Sequence, residues 1–209
     1  MPQRIAIAPG VFLWREKFSP LEQKKLHDEV MARLEQAPLY RPVMPNTGKE
    51  FSVEESNFGT LGWVSDKSGY RYQPAHPVTG MPWPAIPQPL LDLWAEINGG
   101  RAPECCLVNV YRAGAKMGLH QDRDEKDTSA AVIGVSLGDE ALFRIGGTSR
   151  AGRTVSVSLA SGDVIAFGGT ARLAYHGIDR IRPGTSRLLP GGGRLSLTLR
   201  RVSKATGGA

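Results

Sequence analysis

The strongest constraint on the fold is a change of hydrophobic period near residue 105. From there on, apolar runs of strand length follow one another, with glycine turns between most of them. In the clearest run, Arg194–Arg200, the residues Leu195, Leu197 and Leu199 alternate with polar ones, so one side is expected to be core and the other polar. Candidate strands lie at 105–111, 117–122, 131–137, 141–145, 154–159, 163–167 and 194–202. The series predicts an all-β core.

The chain before residue 105 carries helical signals instead. Ser19, Pro20 and Glu22 have the spacing of a capping box with proline at the first helical position, which predicts a helix to about residue 36. Its predicted buried residues are Leu26, Val30, Met31 and Leu34. A second helix is predicted over 88–98, with Leu90, Leu91, Trp94 and Ile97 buried and Gly99-Gly100 ending it. Residues 41–60 and 179–193 lack periodicity and are predicted to be loops.

Composition favours one globular domain. Of 209 residues, 41% are hydrophobic and 22% charged, and no apolar stretch reaches the length of a membrane span or the core of a signal peptide. The two cysteines, Cys105 and Cys106, are neighbours and make a poor disulfide pair. We expect a cytoplasmic protein without membrane contact, with one domain over residues 1–204 and a disordered tail at 205–209.

Positive charge is concentrated in the C-terminal part. The formal net charge is +6, and residues 144–204 contain ten arginines and one lysine against Asp163 and Asp179. A basic segment of this kind suits phosphate binding, so it indicates a nucleic-acid partner. An arginine-rich surface that is merely solvated would have the same composition.

Two of the four histidines fall in a pattern typical of a metal site. His120 and Asp122 are two residues apart on a predicted strand, so their side chains are expected on the same side. His176 is the natural third ligand, and two imidazoles with one carboxylate make the facial triad of non-haem iron(II) sites. A His-x-Asp pair also arises by chance, and a triad alone does not distinguish an oxygenase from a cupin-type isomerase.

A second set of polar residues is predicted to face the same interior. Arg194 and Arg200 lie on one side of their strand, where their guanidinium groups are suited to the two carboxylates of a dicarboxylic acid. Asn109 and Tyr111, also two residues apart, add neutral hydrogen-bonding groups. Taken singly, each of these residues is more often structural.

The order and spacing of these residues resemble the AlkB family of dioxygenases. The segments Asn109–Lys116, Leu119–Glu125 and Leu173–Ile178 carry the resemblance. Further matches extend it over about residues 56–202, and they lie at Leu61–Trp63, Gly69–Tyr72, Pro82–Pro84 and Val135–Gly138.

The resemblance implies a mainly β fold with flanking helices (α+β). Its core would be a double-stranded β-helix, or jelly roll, over about residues 101–204, and the N-terminal helices and a nucleotide-recognition lid would occupy about 1–100. Iron(II) would be held by His120, Asp122 and His176. The co-substrate 2-oxoglutarate would be bound by Arg194 with Asn109 and Tyr111, with Ser196 and Arg200 nearby and Asp124 helping to position Arg200 and the substrate base.

The reaction implied is oxidative dealkylation. Oxygen would be activated by decarboxylation of 2-oxoglutarate to succinate and CO₂, and the hydroxylated N-alkyl group would leave as formaldehyde. Expected substrates are 1-methyladenine and 3-methylcytosine in single- or double-stranded DNA, with RNA as a further candidate. Alkylation weakens the pairing of these bases and so makes base flipping less costly. We expect the enzyme to act as a monomer.

Several further residues acquire roles through the resemblance. Trp63, Tyr70 and Tyr72 fall on the lid, where they would stack on or flank the extruded base, although packing within a surface loop is the alternative. Lys116 and Arg123, beside the predicted ligands, would meet phosphates or remain solvated. Three positions depart from close family members: Ser196 replaces asparagine, Phe167 replaces tryptophan near the active site, and Glu55 replaces methionine at a lid position.

Two other functions remain open at this point. The same dioxygenase chemistry would serve a protein, lipid or small-molecule substrate, and a nucleic-acid-binding protein that had lost catalysis would share part of the pattern. Manganese, cobalt or nickel would also fit the three predicted ligands.

Overall fold

Two antiparallel sheets dominate the fold. A computed structural model describes residues 3–205. In chain order its elements are β1 (Arg4–Ala8), β2 (Val11–Trp14), α1 (Pro20–Gln36), β3 (Glu54–Gly59), β4 (Gly62–Asp66), β5 (Gly69–Gln73), α2 (Gln88–Ile97), β6 (Cys105–Tyr111), β7 (Met117–His120), β8 (Val132–Gly138), β9 (Glu140–Ile145), β10 (Val155–Leu159), β11 (Val164–Phe167), β12 (His176–Arg182) and β13 (Arg194–Arg200).

The strands form a large sheet, a small sheet and a separate hairpin. The large sheet has the order β1-β2-β11-β8-β13-β6-β3, the small sheet β10-β9-β12-β7, and β4 pairs only with β5. Strands distant in sequence are neighbours in both sheets, as expected when two Greek keys close into a jelly roll. The predicted fold class, a jelly-roll core with flanking helices, is confirmed.

The helices cover the outer face of the large sheet. The capping box of α1 is present, with Ser19 and Glu22 bonded reciprocally. Leu26 of α1 and Trp94 of α2 pack in one cluster with Leu195, Leu197 and Leu199 of β13. The alternating pattern of β13 was therefore interpreted correctly: its leucines face the helices, and its polar side chains turn toward the space between the sheets.

Two details of the predicted helix faces were wrong. Met31 was expected in the core but is 46% exposed, since the sheet contacts only the narrower face with Leu26, Val30 and Leu34. In α2 the buried residues are Leu90, Leu93 and Trp94, whereas Leu91 and Ile97 are only partly buried.

The two predicted loops each contain a strand. Residues 41–60 include β3, whose buried polar side chains hid the pattern. Ser56 donates to the carbonyl of Ala37 at 2.7 Å, and Asn57 bonds the backbone of Trp63. Residues 179–193 begin with the second half of β12, whose charged side chains alternate toward solvent. Edge or outer strands made mostly of polar residues show no alternation of apolar and polar side chains, so the sequence pattern does not reveal them.

Smaller corrections concern the ends of elements. The predicted strand 117–122 ends at His120, so Asp122 follows the strand. The N-terminal hairpin of β1 and β2 had no sequence prediction. Residues 206–209 of the predicted disordered tail lie outside the described residues. Within residues 3–205, neither helix has the length and apolar character that crossing a membrane would require.

Candidate active site

A cavity of about 740 Å³ lies between the two sheets, beneath the β4–β5 hairpin. Both sheets and the hairpin contribute to its walls. The inward side chains of β13 are polar, whereas Leu107 of β6, Phe143 of β9 and Phe167 of β11 contribute apolar surface, so a few polar groups lie within a largely apolar wall. Such a concave site with a few convergent polar groups is suited to a small ligand.

Three potential metal ligands meet in this cavity. His120 ends β7, Asp122 follows it, and His176 begins β12 directly opposite His120 in the antiparallel register. One ligand atom from each of the three lies within 4.8 Å of the others. The Nε2 atoms of His120 and His176 lie 3.8 and 3.9 Å from the Asp122 carboxylate oxygens. This separation leaves room for one ion between the three groups.

Hydrogen bonds fix both imidazoles in the tautomer that a metal needs. The Nδ1 atom of His120 donates to the carbonyl of Gly118, and that of His176 to the carbonyl of Ala174, each at 3.0 Å. Both Nε2 atoms are therefore left as acceptors aimed at the centre. Burial, and then the neighbouring His120, lower the pKa of His176 to about 4, so that this ring is neutral at physiological pH.

Asp122 is held by an arginine from the large sheet. Burial alone would raise the pKa of Asp122, but Arg200 and the two histidines outweigh it and hold the pKa well below the usual range. Arg200 also lies 3.6 Å from Glu125, which in turn accepts a 3.1 Å hydrogen bond from Arg172. Asp124 was expected to position Arg200, but it is exposed and accepts instead from the indole of Trp63 at 2.8 Å.

The second arginine of β13 has unused donors. Arg194 is 2% exposed and donates to the hydroxyl of Ser136 at 2.9 Å, while its Nε and Nη1 atoms have no partner among the described residues. Its guanidinium lies 5.3 Å from the centre of the Tyr111 ring. Since an arginine stays charged even when buried, these free donors fit an anion.

Neutral polar groups border the same end of the cavity. The amide oxygen of Asn109 is buried and has no partner within the described part of the chain, and Ser196 lies opposite Asn109 in the β6–β13 register. Asn109, Tyr111, Arg194, Ser196 and Arg200 all line the cavity. The structure therefore brings together every residue predicted to bind the co-substrate, and their donors and acceptors suit a dicarboxylate.

The hairpin carries an aromatic pair at the cavity mouth. Trp63 of β4 and Tyr70 of β5 stack with ring centres 5.5 Å apart, and Tyr70 is 52% exposed. Both line the cavity. The hydroxyl of Tyr72 bonds Glu125 below the hairpin, and Tyr72 is absent from the cavity wall. Tyr72 is thus placed as a support for the hairpin and does not stand beside the other two rings.

Phe167 and three cations complete the surroundings. The Phe167 ring lies 4.6 Å from the His176 ring, where it forms an apolar wall next to the ligands. Lys116 and Arg123 are exposed at the mouth, as the sequence suggested. Arg150, which the sequence analysis did not single out, also borders the cavity, with its guanidinium 5.8 Å from the ring centre of Tyr175.

Only some of the arginines in the basic C-terminal segment lie on the protein surface. Arg172, Arg194, Arg200 and Arg201 are buried and have partners inside the fold or face the cavity. Composition therefore overstated the charge available to phosphates. The sequence also gave no signal for Arg172, and Glu55, expected on the lid, lies buried on the edge strand β3 of the large sheet. Both placements depend on contacts between segments far apart in the chain.

Comparisons with known proteins agree with this geometry. A model of the 2OG-Fe(II) oxygenase superfamily matches residues 10–200. The chain is 51% identical over 204 residues to an alpha-ketoglutarate-dependent dioxygenase AlkB homolog of Caulobacter vibrioides, covering 96% of this chain and 91% of that protein. It is 38% identical to alpha-ketoglutarate-dependent dioxygenase AlkB of Escherichia coli, with 94% and 92% covered. The solved structure of OsALKBH1 superposes with a TM-score of 0.82 at 28% identity, covering 95% of this chain and all of the other.

Proposed function

This chain belongs to the AlkB family of the 2OG-Fe(II) oxygenase superfamily, and we propose that it demethylates 1-methyladenine and 3-methylcytosine in DNA. Its chemistry is iron(II)- and 2-oxoglutarate-dependent oxidative dealkylation of nucleic acids, with O₂ as the second co-substrate. One observation carries the proposed site: the three-ligand group and Arg194, two of whose donors have no partner among residues 3–205, lie in one cavity beneath an aromatic lid.

His120, Asp122 and His176 are assigned as the iron ligands. The two Nε2 atoms and the carboxylate are of the ligand types that iron(II) accepts, and three protein ligands leave positions free for 2-oxoglutarate and O₂. When bound, iron(II) with 2-oxoglutarate and O₂ supplies the oxidation that hydroxylates the N-methyl carbon, giving succinate, CO₂ and finally formaldehyde. The buried Phe167 forms an apolar wall beside His176.

Arg194 is assigned to the distal carboxylate of 2-oxoglutarate. Its free Nε and Nη1 donors point to an anion, and Ser136 fixes the guanidinium from the opposite side. Asn109, Tyr111 and Ser196 contribute the neighbouring hydrogen-bonding groups. Arg200 acts on the same complex by holding Asp122, so both arginines of β13 serve the site from one strand.

The lid is assigned to the alkylated base. Trp63 and Tyr70 offer ring faces at the cavity mouth, and Asp124 fixes the indole of Trp63 by its hydrogen bond. An extruded base gains stacking there, which offsets part of the cost of flipping it out of the helix. Lys116, Arg123 and Arg150 border the mouth, where phosphates of the flanking nucleotides would lie.

We also propose that residues 1–204 act as one domain and as a monomer in the cytoplasm. Every residue assigned above comes from one chain, which supports a monomeric active unit. The buried free thiols Cys105 and Cys106 are compatible with a reducing compartment. Light scattering of the purified enzyme measures the oligomeric state directly, and a specific activity (turnover per mole of chain) that rises with protein concentration would contradict a monomer.

The decisive experiment follows the mass of a defined lesion. The enzyme, loaded anaerobically with iron(II) and 2-oxoglutarate, receives air and an oligonucleotide with one 1-methyladenine. We expect loss of one CH₂ unit that requires both iron and 2-oxoglutarate. Single-stranded DNA, duplex DNA and RNA of the same sequence rank the strand preference. Steady succinate formation without loss of mass would refute the proposed base substrates and direct the search to other molecules.

A pair of variants makes the result specific to the site. Asp122→Ala removes the charged ligand and should abolish turnover, whereas Glu35→Ala removes an exposed carboxylate of α1 and should leave turnover unchanged. Full activity of Asp122→Ala would remove Asp122 from the ligand set. Oligonucleotide binding without succinate formation under any condition would point to a binding protein that has lost catalysis.

A further inference from the structure

Glu55 is a buried acid at a position open to the cavity. It lies on β3, the edge strand of the large sheet, opposite Asn109 of β6. Its side chain lines the cavity although the residue is only 1% exposed. The Oε2 atom is buried and has no hydrogen-bond partner among residues 3–205. A buried polar atom without a partner is costly, so a ligand that supplies one gains binding energy there.

The other acids near the metal ligands already have partners. Asp122 is bonded by Arg200, Glu125 by Arg172, and Asp124 by the indole of Trp63. These three carboxylates are therefore less available than Glu55 to a positively charged ligand. The cavity contains one buried carboxyl oxygen, on Glu55, that the described part of the chain leaves unmatched.

Arg194 does not neutralise Glu55. Both residues have buried atoms without partners among residues 3–205, and no ion pair within 4.0 Å joins their side chains. Ser196, Asn109 and Glu55 form one row across β13, β6 and β3. With strands about 4.8 Å apart, Glu55 lies roughly 10 Å from β13. The cavity thus has two separate binding positions: one beside Arg194 that favours an anion, and one beside Glu55 that favours a cation or hydrogen-bond donor.

We propose that Glu55 determines specificity by accepting hydrogen bonds from an alkylated base that carries a positive charge. This inference rests on the proposed function. Methylation at N1 of adenine or N3 of cytosine leaves a cationic base with an exocyclic amino group, which provides both the charge and the donor. In contrast, 3-methylthymine is neutral and presents carbonyl oxygens, so it brings no positive charge that would favour the ionised form of Glu55.

The electrostatics of the cavity agree with such a partner. Burial raises the pKa of Glu55 to about 8, with Arg200 opposing the shift. An entering cation would stabilise the ionised carboxylate and so recover the cost of burying it. A neutral base with carbonyl oxygens supplies neither the charge nor a donor.

Tyr40 is the alternative partner within the chain. Its backbone bridges to Glu55, with N–O distances of 2.8 and 3.0 Å, and its hydroxyl is also buried, with no partner in the described range 3–205. If a small rotation joined the two side chains, Glu55 would serve only to hold the Tyr40 segment against β3. Tyr40→Phe is therefore the matched control, because it removes this contact and leaves the carboxyl group in place.

The test compares two lesions in one oligonucleotide sequence. Rates are measured as kcat/KM for 1-methyladenine and 3-methylthymine with the wild-type chain, Glu55→Gln, Glu55→Met and Tyr40→Phe. We expect both Glu55 variants to lose at least about tenfold on 1-methyladenine while 3-methylthymine is unchanged or improved, with the KM for 2-oxoglutarate unaltered. Tyr40→Phe should keep the wild-type ratio. Equal losses on both lesions, or the same loss in Tyr40→Phe, would overturn the inference.

Binding separates this inference from the proposed function. Manganese-loaded, oxygen-free enzyme is titrated with fluorescent oligonucleotides that contain each lesion. We expect tighter binding of 1-methyladenine in the wild-type chain and loss of that preference in both Glu55 variants. Absence of turnover with this preference intact would contradict the proposed function alone. Turnover without any effect of Glu55 on the preference would contradict the inference alone, and absence of both turnover and preference would contradict both.

Discussion

Arg200 grips Asp122 with two parallel hydrogen bonds, from Nε to Oδ2 and from Nη2 to Oδ1, each 2.9 Å long. Both partners are buried, so the pair is shielded from water and its geometry is well defined. Each carboxylate oxygen keeps a second lone pair, which leaves Asp122 free to bind a metal while its plane is fixed. A residue of the large sheet therefore orients a ligand contributed by the segment after β7.

The first prediction concerns this orientation. Arg200→Lys keeps the charge but cannot form the double hydrogen bond, so Asp122 should rotate and metal affinity should fall by roughly tenfold or more. Titration with manganese, followed by electron paramagnetic resonance, measures that affinity. Arg201→Lys is the matched control, because Arg201 is equally buried and lies near Glu104 and Asp127 but does not line the cavity. Equal metal affinity in the two variants would show that the lysine suffices.

The second prediction concerns the co-substrate. Arg194→Ala removes the charged donors and should raise the KM for 2-oxoglutarate roughly ten- to a hundredfold, from about 1.5–3 kcal/mol for hydrogen bonds to a charged group. Removing an unpaired buried charge should not lower the thermal stability of the enzyme without 2-oxoglutarate. Steady-state kinetics and a melting curve together check both statements. An unchanged KM would place the carboxylate elsewhere.

The sequence predicted the residues that line the site more completely than the buried residues that hold them in place. The pairs His120 with Asp122 and Arg194 with Arg200 were singled out because their spacing on predicted strands carries information about side-chain direction. His176 was chosen because the first pair needed a third ligand. Arg172 and Glu125 escaped notice because their pairing joins loops 47 residues apart. The strand with Glu55 was missed for a related reason. Its polar residues are buried through contacts with distant segments, and its sequence shows no alternation of apolar and polar side chains.

The third prediction concerns the lid. Tyr70→Ala removes the exposed ring that stacks on Trp63, and stacking contributes about 1–3 kcal/mol per base. Affinity for a methylated oligonucleotide should fall roughly five- to a hundredfold in a fluorescence anisotropy titration, while 2-oxoglutarate turnover without nucleic acid stays the same. Val78→Ala, at an exposed apolar residue outside the cavity, should bind like the wild-type chain. Comparable weakening in both variants would indicate a general surface effect.

The fourth prediction concerns pH and the stability of the metal-free chain. Burial raises the pKa of Glu55 from its ordinary value of 4.5 to about 8 in the folded chain. Below pH 4.5 the folded and unfolded chains both hold the proton, so the residue imposes no ionic cost. Between pH 4.5 and 8 the unfolded chain releases the proton and the folded chain keeps it. The free energy of unfolding should therefore fall as pH rises, by up to about 1.4 kcal/mol per pH unit.

Glu55→Gln isolates this contribution because glutamine has nearly the same shape and does not titrate. Urea unfolding of both chains at a series of pH values gives the difference in unfolding free energy. We expect the free energy of unfolding of the variant to increase relative to that of the wild-type chain from pH 5 to pH 8. Above pH 8 the difference between the two should stay constant. Parallel curves across the whole range would mean that the Glu55 carboxyl ionises normally, and that the folded chain supplies it with water or a partner at no cost.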